Sequence, residues 1–297
     1  VPAQVFLGHF DADLQGAHLG CANLQGAYLR DAEFQGALLI GADLRGAGLW
    51  GADLQGAILG GAGLQGADLE SANLQEAYLV SADLTGVDFR DANNLDHIKL
   101  WRATLQETQL YKDQLGGMIG EERDRHWFRA KETYLALKNN WEQTGRYDDA
   151  AWAYRRERRM EKMGAWRTAR EGVNERNWKD AMGHFGKAAA YQAQELVCDY
   201  GESPSRVLIT MGVVLLLFTL YYHLAGAIAT SEAGTYTISR ALDDCLIYSL
   251  AAFTVNGFSK FEPRDDKVRL VTILESLLGI FLLGLLGFVA GNVIRRG

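Results

Sequence analysis

Proline and cysteine are both scarce, at three residues each in a chain of 297. So little proline argues against disordered, proline-rich linkers. Cys21, Cys198 and Cys245 lie far apart, with no CxxC or Cys/His spacing, so no metal site is expected. Unpaired cysteines of this kind fit a reducing compartment. The six histidines, His9, His18, His97, His126, His184 and His223, are scattered, and neither a Ser/His/Asp set nor a phosphate loop accompanies them. No catalytic residue, no cofactor and no enzymatic activity is expected. Lysine is absent from residues 12–91, which carry eleven Asp or Glu and three Arg (Arg30, Arg45, Arg90), net −8. That balance disfavours nucleic acid as a partner. No secretory signal pattern stands ahead of this stretch.

Glycine, in contrast, is abundant at 33 residues, and much of it follows a strict period. From Ala12 the chain reads ADLQG AHLGC ANLQG AYLRD AEFQG and continues to VDFRD at Asp91, sixteen units of five. The central position is Leu except at Phe34 and Phe89. Ala stands two places before it in every unit but the last, where Val87 takes over. A period of five matches neither a helix nor a strand. It matches a right-angled coil in which each unit forms one side and turns, with Leu and small Ala filling the interior. The pattern resembles the pentapeptide-repeat family, which implies a four-sided right-handed parallel β-helix. The period slips by one at Asn94. Leu95, Leu100, Leu105, Leu110 and Leu115 then resume it, so residues 94–117 are expected to be degenerate coils or a looser cap. The resemblance leaves two uses for the acidic outside: a solvated face, or a duplex-DNA-like surface offered to a cytoplasmic protein partner such as a topoisomerase.

Residues 118–205 change to charged helix formers and tryptophan. Tyr134, Leu137 and Trp141 share one helical stripe. Ala150, Ala153, Tyr154 and Met160 share another beyond a break at Thr144-Gly145. This connector is similar to one tetratricopeptide-like hairpin, which cannot bury both its faces alone. It is expected to pack on the β-helix, on another subunit or toward a membrane. The basic cluster Arg155, Arg156, Arg158, Arg159 and Lys162 suits either solvent or anionic lipid headgroups.

A mean hydropathy of −0.11 averages this polar region with an intensely apolar last third. Residues 207–229 carry no formal charge, and residues 270–294 carry one carboxylate; both are long enough to cross a bilayer. Arg206 precedes the first and Arg295-Arg296 follow the second, which assigns both termini to the cytoplasm. The intervening 238–263 segment reads as a short helix over 238–253, a turn at Gly257 and an exit at Pro263. Non-helical backbone at membrane depth is tolerated only inside protein or along a water-filled path, so a re-entrant pore loop is expected.

The order span, pore helix, Gly-containing turn, span resembles the two-transmembrane, potassium-channel-like ion-channel family. The motif that carries it is YSLAAFTVNGFSKFEP, in which Ser249, Thr254, Gly257 and Pro263 match the family pattern and Phe258 replaces its Tyr. The resemblance implies a homotetramer that conducts inorganic ions across the bacterial cytoplasmic (inner) membrane. Its selectivity filter would be Thr254, Val255, Asn256, Gly257, Phe258 and Ser259. Lys260, Glu262 and Asp244 are expected at the pore mouth, and Glu275 is expected to support the loop by accepting backbone N–H bonds. Gly284, Gly287, Gly291 and Asn292 are expected along the inner cavity or at a gating bend, with Gly279 a further packing glycine. The family's V-G-Y-G-D reads Asn256-Gly257-Phe258-Ser259-Lys260 here, so potassium, anion and unselective conduction all stay open.

The expected whole is a multidomain membrane protein. It comprises a pentapeptide-repeat β-helix over 1–117, a helical connector over 118–205 and a two-helix pore domain over 206–297. The alternative is a membrane-anchored scaffold that presents the acidic β-helix while its pore stays closed to ions.

Overall fold

The computed structural model describes residues 11–175, 177–232, 235–255 and 261–295. The chain divides into two compact units, 1–191 and 192–297.

In the first unit, each five-residue segment contributes one bridge of a parallel ladder to the segment twenty residues on, as in Asp13↔Glu33↔Asp53↔Asn73. At each corner the Ala17-type N–H closes a turn on the Leu14-type carbonyl, at 3.0 Å for that pair. The turn requires positive φ at its third residue. Each fifth residue from Asp11 to Gly86 accordingly has φ between +57° and +69°, which is why glycine dominates that place. Leu and Ala columns fill the interior, with Leu29, Leu39, Leu49 and Leu59 all at 0% exposure. Stacked identical residues leave no voids, and dense packing carries the stability.

The one-residue slip is absorbed without breaking the ladder, whose spacing becomes twenty-one at Asn73↔Asn94. Asn93 is the added residue, and its Nδ2 donates to the Ser71 carbonyl at 2.7 Å. The coils continue as far as Asp88↔Gln109, and Leu95, Leu100, Leu105, Leu110 and Leu115 remain buried.

Helices α1 (Gly120–Arg123), α2 (Trp127–Gln143), α3 (Tyr147–Asn174) and α4 (Trp178–Cys198) follow. The break between α2 and α3 comes at Gly145, φ +75°. The α2–α3 hairpin buries its apolar stripe against the last coils. Trp141 Nε1 donates to the Leu110 carbonyl at 2.7 Å and Asn140 Nδ2 to the Thr108 carbonyl at 2.8 Å. Trp152 packs edge-on to Tyr134 and Trp141, at 5.5 and 6.1 Å. These contacts satisfy carbonyls and leucines that the open end of a β-helix would otherwise leave bare. The tryptophans are therefore packing residues, and this hairpin belongs to the first unit. Composition marks boundaries at 117/118 and 205/206, whereas the compact units divide at 191/192, because the hairpin's apolar face is consumed by the β-helix end. The basic cluster is partly committed as well. Arg156 reaches Glu122 at 2.7 Å and the Gly117 carbonyl at 2.6 Å, and Arg158 reaches Glu161 at 2.7 Å.

In the second unit, helix α5 (Pro204–Ala225) starts at a proline, with Ser203 accepting from the Arg206 N–H. It ends at Gly226, φ +54°, short of the expected Ala229. Residues beyond it become strand β1 (Ile228–Glu232), which pairs antiparallel with β2 (Thr235–Ser239) and with β3 (Phe261–Pro263), in the order β2-β1-β3. This small sheet departs from the expected apolar run to 229; Ile, Thr and Tyr favour the pleated state once Gly226 has stopped the helix. Since Ile238 and Ser239 belong to β2, the short helix expected from 238 begins later, as α6 (Leu242–Phe253). Helix α7 (Asp266–Ile294) starts four residues before the expected span because Asp265 caps it, accepting the Val268 N–H at 3.0 Å. That N–H and the Arg264 guanidinium hold the Asp265 carboxyl below the usual carboxylate range.

Helices α5 and α7 run antiparallel. Tyr222 meets Thr272 near one end, and Val207 and Val289 share a buried cluster near the other. Both helices are long and apolar enough to cross a membrane, by length and composition.

Candidate pore segment

Helix α6 has twelve residues, so it spans about 18 Å, too little to cross a bilayer of ~30 Å. It starts beside the end of α5, where His223 Nδ1 lies 2.8 Å from the Arg240 carbonyl. Tyr248 stacks edge-on against Tyr222 at 5.0 Å, and Cys245 and Tyr248 are buried with Tyr222 and Val268.

Glu275 on α7 is completely buried and joins the three helices. Its two carboxylate oxygens accept from Tyr222 of α5, at 2.7 Å, and from Ser249 of α6. Thr272 extends the set, with its Oγ1 3.0 Å from the Tyr248 hydroxyl. Side-chain hydroxyls on α5 and α6 thus hold Glu275 among the described residues. The return of the loop, whose backbone N–H groups it was expected to accept, lies outside the described residues.

Next to Glu275 on α7, Ser276 donates to the Ala252 carbonyl at 2.8 Å. Gly279 follows, and a Cβ there would stand 2.1 Å from the Phe253 carbonyl oxygen. Close packing by glycine therefore falls on Gly279. Around Gly284, Gly287 and Gly291 a Cβ would meet nothing within 4 Å in one copy of the chain, and Asn292 is half-buried. These four take no part in holding α6.

Phe253 abuts a point about 20 Å along α7 from Asp266, whereas Phe261 is back at the sheet, opposite Thr230 of β1. Helix α6 thus descends between α5 and α7, and the chain re-emerges on the side from which it entered. At its tip Thr254 Oγ1 bonds the Leu250 carbonyl at 2.8 Å, and Val255 has φ +58°. Left-handed backbone is costly for a β-branched residue. Asn256, Gly257, Phe258, Ser259 and Lys260 lie outside the described residues. Asp244 accepts from Ser239 Oγ at 2.5 Å in the first turn of α6, and Glu262 is exposed on β3.

Sequence reasoning passed over Tyr222, Tyr248, Thr272 and Ser276. The available signal was the helical spacing of Thr272, Glu275, Ser276 and Gly279, polar or small residues on one face of an apolar helix. The opposite surface of α6 remains bare in a single copy, with Leu246, Ile247 and Leu250 exposed, as is Val255 just beyond its end. Among the described residues, no group of three or more His, Cys, Asp or Glu is placed to hold a metal ion.

Comparison with known families matches the pentapeptide repeats, in eight copies, at residues 10–46, 22–61 and 62–93. No curated protein matches. Similar solved structures include the pentapeptide repeat protein Rfr23 from the cyanobacterium Cyanothece 51142, at 38% identity over 32% of this chain and 58% of that one, TM-score 0.24. Another is QnrB1, a plasmid-mediated fluoroquinolone resistance protein, at 23% identity over 34% of this chain and 55% of that one, TM-score 0.23. A third, from the Arabidopsis thaliana thylakoid lumen, shows 31% identity over 35% of this chain and 68% of its own, TM-score 0.20. The chain spans less than two thirds of the first two. The repeats themselves carry the assignment: this is a pentapeptide-repeat protein with a helical C-terminal region that contains two long apolar helices.

Proposed function

We propose that the second unit is the pore-forming part of a homotetrameric ion channel in the bacterial cytoplasmic membrane, and that the β-helix serves it as a cytoplasmic assembly or gating domain. The observation that carries this reading is α6, a helix too short to span, suspended between two helices of membrane length, with its entry and return on one side. Supporting it, a buried carboxylate ties the three helices together, and a buried ionisable group within an apolar helix is a functional feature by default. Val255, strained at the tip of α6, stands where the chain turns into the proposed filter of Thr254 to Ser259. Pro204 and Ile294 lie at the same end of the helix pair, which agrees with both flanking segments being cytoplasmic. One copy has too few spans to enclose a path, so the exposed faces of α6 and α7 would meet their counterparts in other copies.

Reversal potentials of the reconstituted protein in asymmetric K⁺, Na⁺ and Cl⁻ test the function. Currents are expected, with the reversal potentials deciding among potassium-selective, anion-selective and unselective conduction, and Lys260→Asp is expected to move the reversal potential toward cation preference. Protein that elutes from detergent as monomers or dimers and passes no ion in any salt overturns the reading and leaves a membrane-anchored scaffold.

A further inference from the structure

The ladders sort residues 12–91 into four faces, and the charges do not spread evenly over them. Asp13, Glu33 and Asp53 stack on one face, Asp43 and Asp83 on a second, and Asp68 and Asp88 on a third. The fourth runs His18↔Leu38↔Ile58↔Tyr78 and carries none of the stretch's Asp, Glu or Arg. Ile40 and Val80 also point outward there, and Ile40 and Tyr78 are 53% and 39% exposed. The one charge at its corners, Glu76, is neutralised by Arg123 at 2.5 Å. In the next coil Lys99 is paired with Asp124 at 2.5 Å, and it fixes Tyr78 by donating to its hydroxyl at 2.8 Å.

The same face is already a packing surface one coil further on. Trp101, next in the series after Val80, donates Nε1 to Glu132 of α2 at 2.6 Å and lies under the Arg129 guanidinium at 4.3 Å. The stretch from Leu38 to Val80 continues that interface and is left uncovered.

We infer that this face binds the same face of a second copy of the chain. Two rods of net charge −8 repel overall, although Arg45 and Arg90 pair with Asp43 and Asp88, and the fourth face lets them meet without placing carboxylates together. Size also selects the occupant. Four coils at ~4.8 Å by one side of the coil give on the order of 200 Å², far below the ~800 Å² per partner of a free-standing interface. Such a patch is occupied when its partner is already held nearby at high effective concentration. Copies joined through the second unit provide that condition, so the inference rests on the association proposed above. With one such face per copy, four copies pair as two dimers.

Cysteine cross-linking of the full-length protein in membranes tests it, in a Cys21→Ser background because Cys21 is exposed at the edge of this face. Ile58→Cys alone reports a parallel pair, and a mixture of Leu38→Cys and Ile58→Cys chains reports an antiparallel one. One of the two is expected to cross-link about tenfold more than the controls Asp53→Cys and Asp68→Cys, since proximity sets the effective concentration. Adding Tyr78→Lys to whichever cysteine chains cross-link is expected to lower that cross-linking about tenfold, because it buries an unpaired charge. Cross-linking on this face no stronger than at the controls, in protein whose circular dichroism matches the native chain, overturns the inference. Ion currents without such cross-links would leave the channel standing and remove the paired rods; cross-links without currents would do the reverse.

Discussion

In the β-helix the leucine at the centre of each repeat points inward; in helices α5 and α7 most leucines are exposed. Leu54, in the ninth repeat, is at 0% exposure, while Leu216 on α5 is at 65%. The first unit finds every partner for its apolar columns within its own stack and closes the end with the α2–α3 hairpin. The second satisfies polar groups internally, through Glu275, Ser249, Tyr222 and Ser276, and leaves its hydrocarbon surface for its surroundings. The same residue type therefore has opposite roles in the two units, as the membrane placement proposed above for the second requires.

That contrast is most directly broken by paired truncations. Leu54→Ala is expected to cost about 2–5 kcal/mol through the cavity it leaves, read as an earlier loss of the β signal in denaturant. Leu216→Ala in detergent is expected to leave the same transition in place. Equal effects would erase the distinction between the two units. Next in size is Gly279→Ala, which forces a methyl against the Phe253 carbonyl and is expected to cost about 1–3 kcal/mol within the second unit. Gly287→Ala, with open space around it in one copy, is expected to leave a single copy's helices undisturbed.

How much of this was legible beforehand differs between the units for the same reason. The repeat region is local: a period of five with Ala and Leu in fixed places dictates the coil, and its capacity to absorb Asn93 follows from one added hydrogen bond. The hairpin's stripe at Tyr134, Leu137 and Trp141 was visible too, but its partner, the last coil, is remote in sequence. In the second unit the two apolar helices and the short helix between them were plain from length. The sheet of β1, β2 and β3 depends on Gly226 stopping α5 and on a pairing between residues 228–230 and 261–263, which no local pattern announces. Glu275 stood out as a lone carboxylate, whereas its partners Tyr222 and Ser249 lie 53 and 26 positions away.

Smaller effects sharpen the comparison within the first unit. Glu121 is buried, and that burial pushes its carboxyl above the usual range, although its Oε1 accepts the Trp101 N–H at 2.6 Å. A folded-state pKa above the unfolded value of about 4.5 means that the unfolded chain loses this proton first. Stability contributed by Glu121 is therefore present below that value and declines as pH rises toward the raised one. Glu121→Gln is expected to remove the decline, making the variant more stable than the native chain at pH 7 and no different at the acid end, as thermal melts across pH would record. Smallest of all, Arg45→Ala removes an exposed pair with Asp43 at 2.5 Å and is expected to leave the thermal midpoint essentially where it is.

If α6, seated on Gly279 and Glu275, lines a path for ions as proposed, planar-bilayer recording of purified native protein beside Gly279→Ala, at equal amounts and equal oligomeric state, will show it. Discrete currents are expected from the native chain, with their loss or marked reduction in the variant. Silence from the native chain in K⁺, Na⁺ and Cl⁻ salts, or currents indifferent to Gly279→Ala, would contradict the proposal.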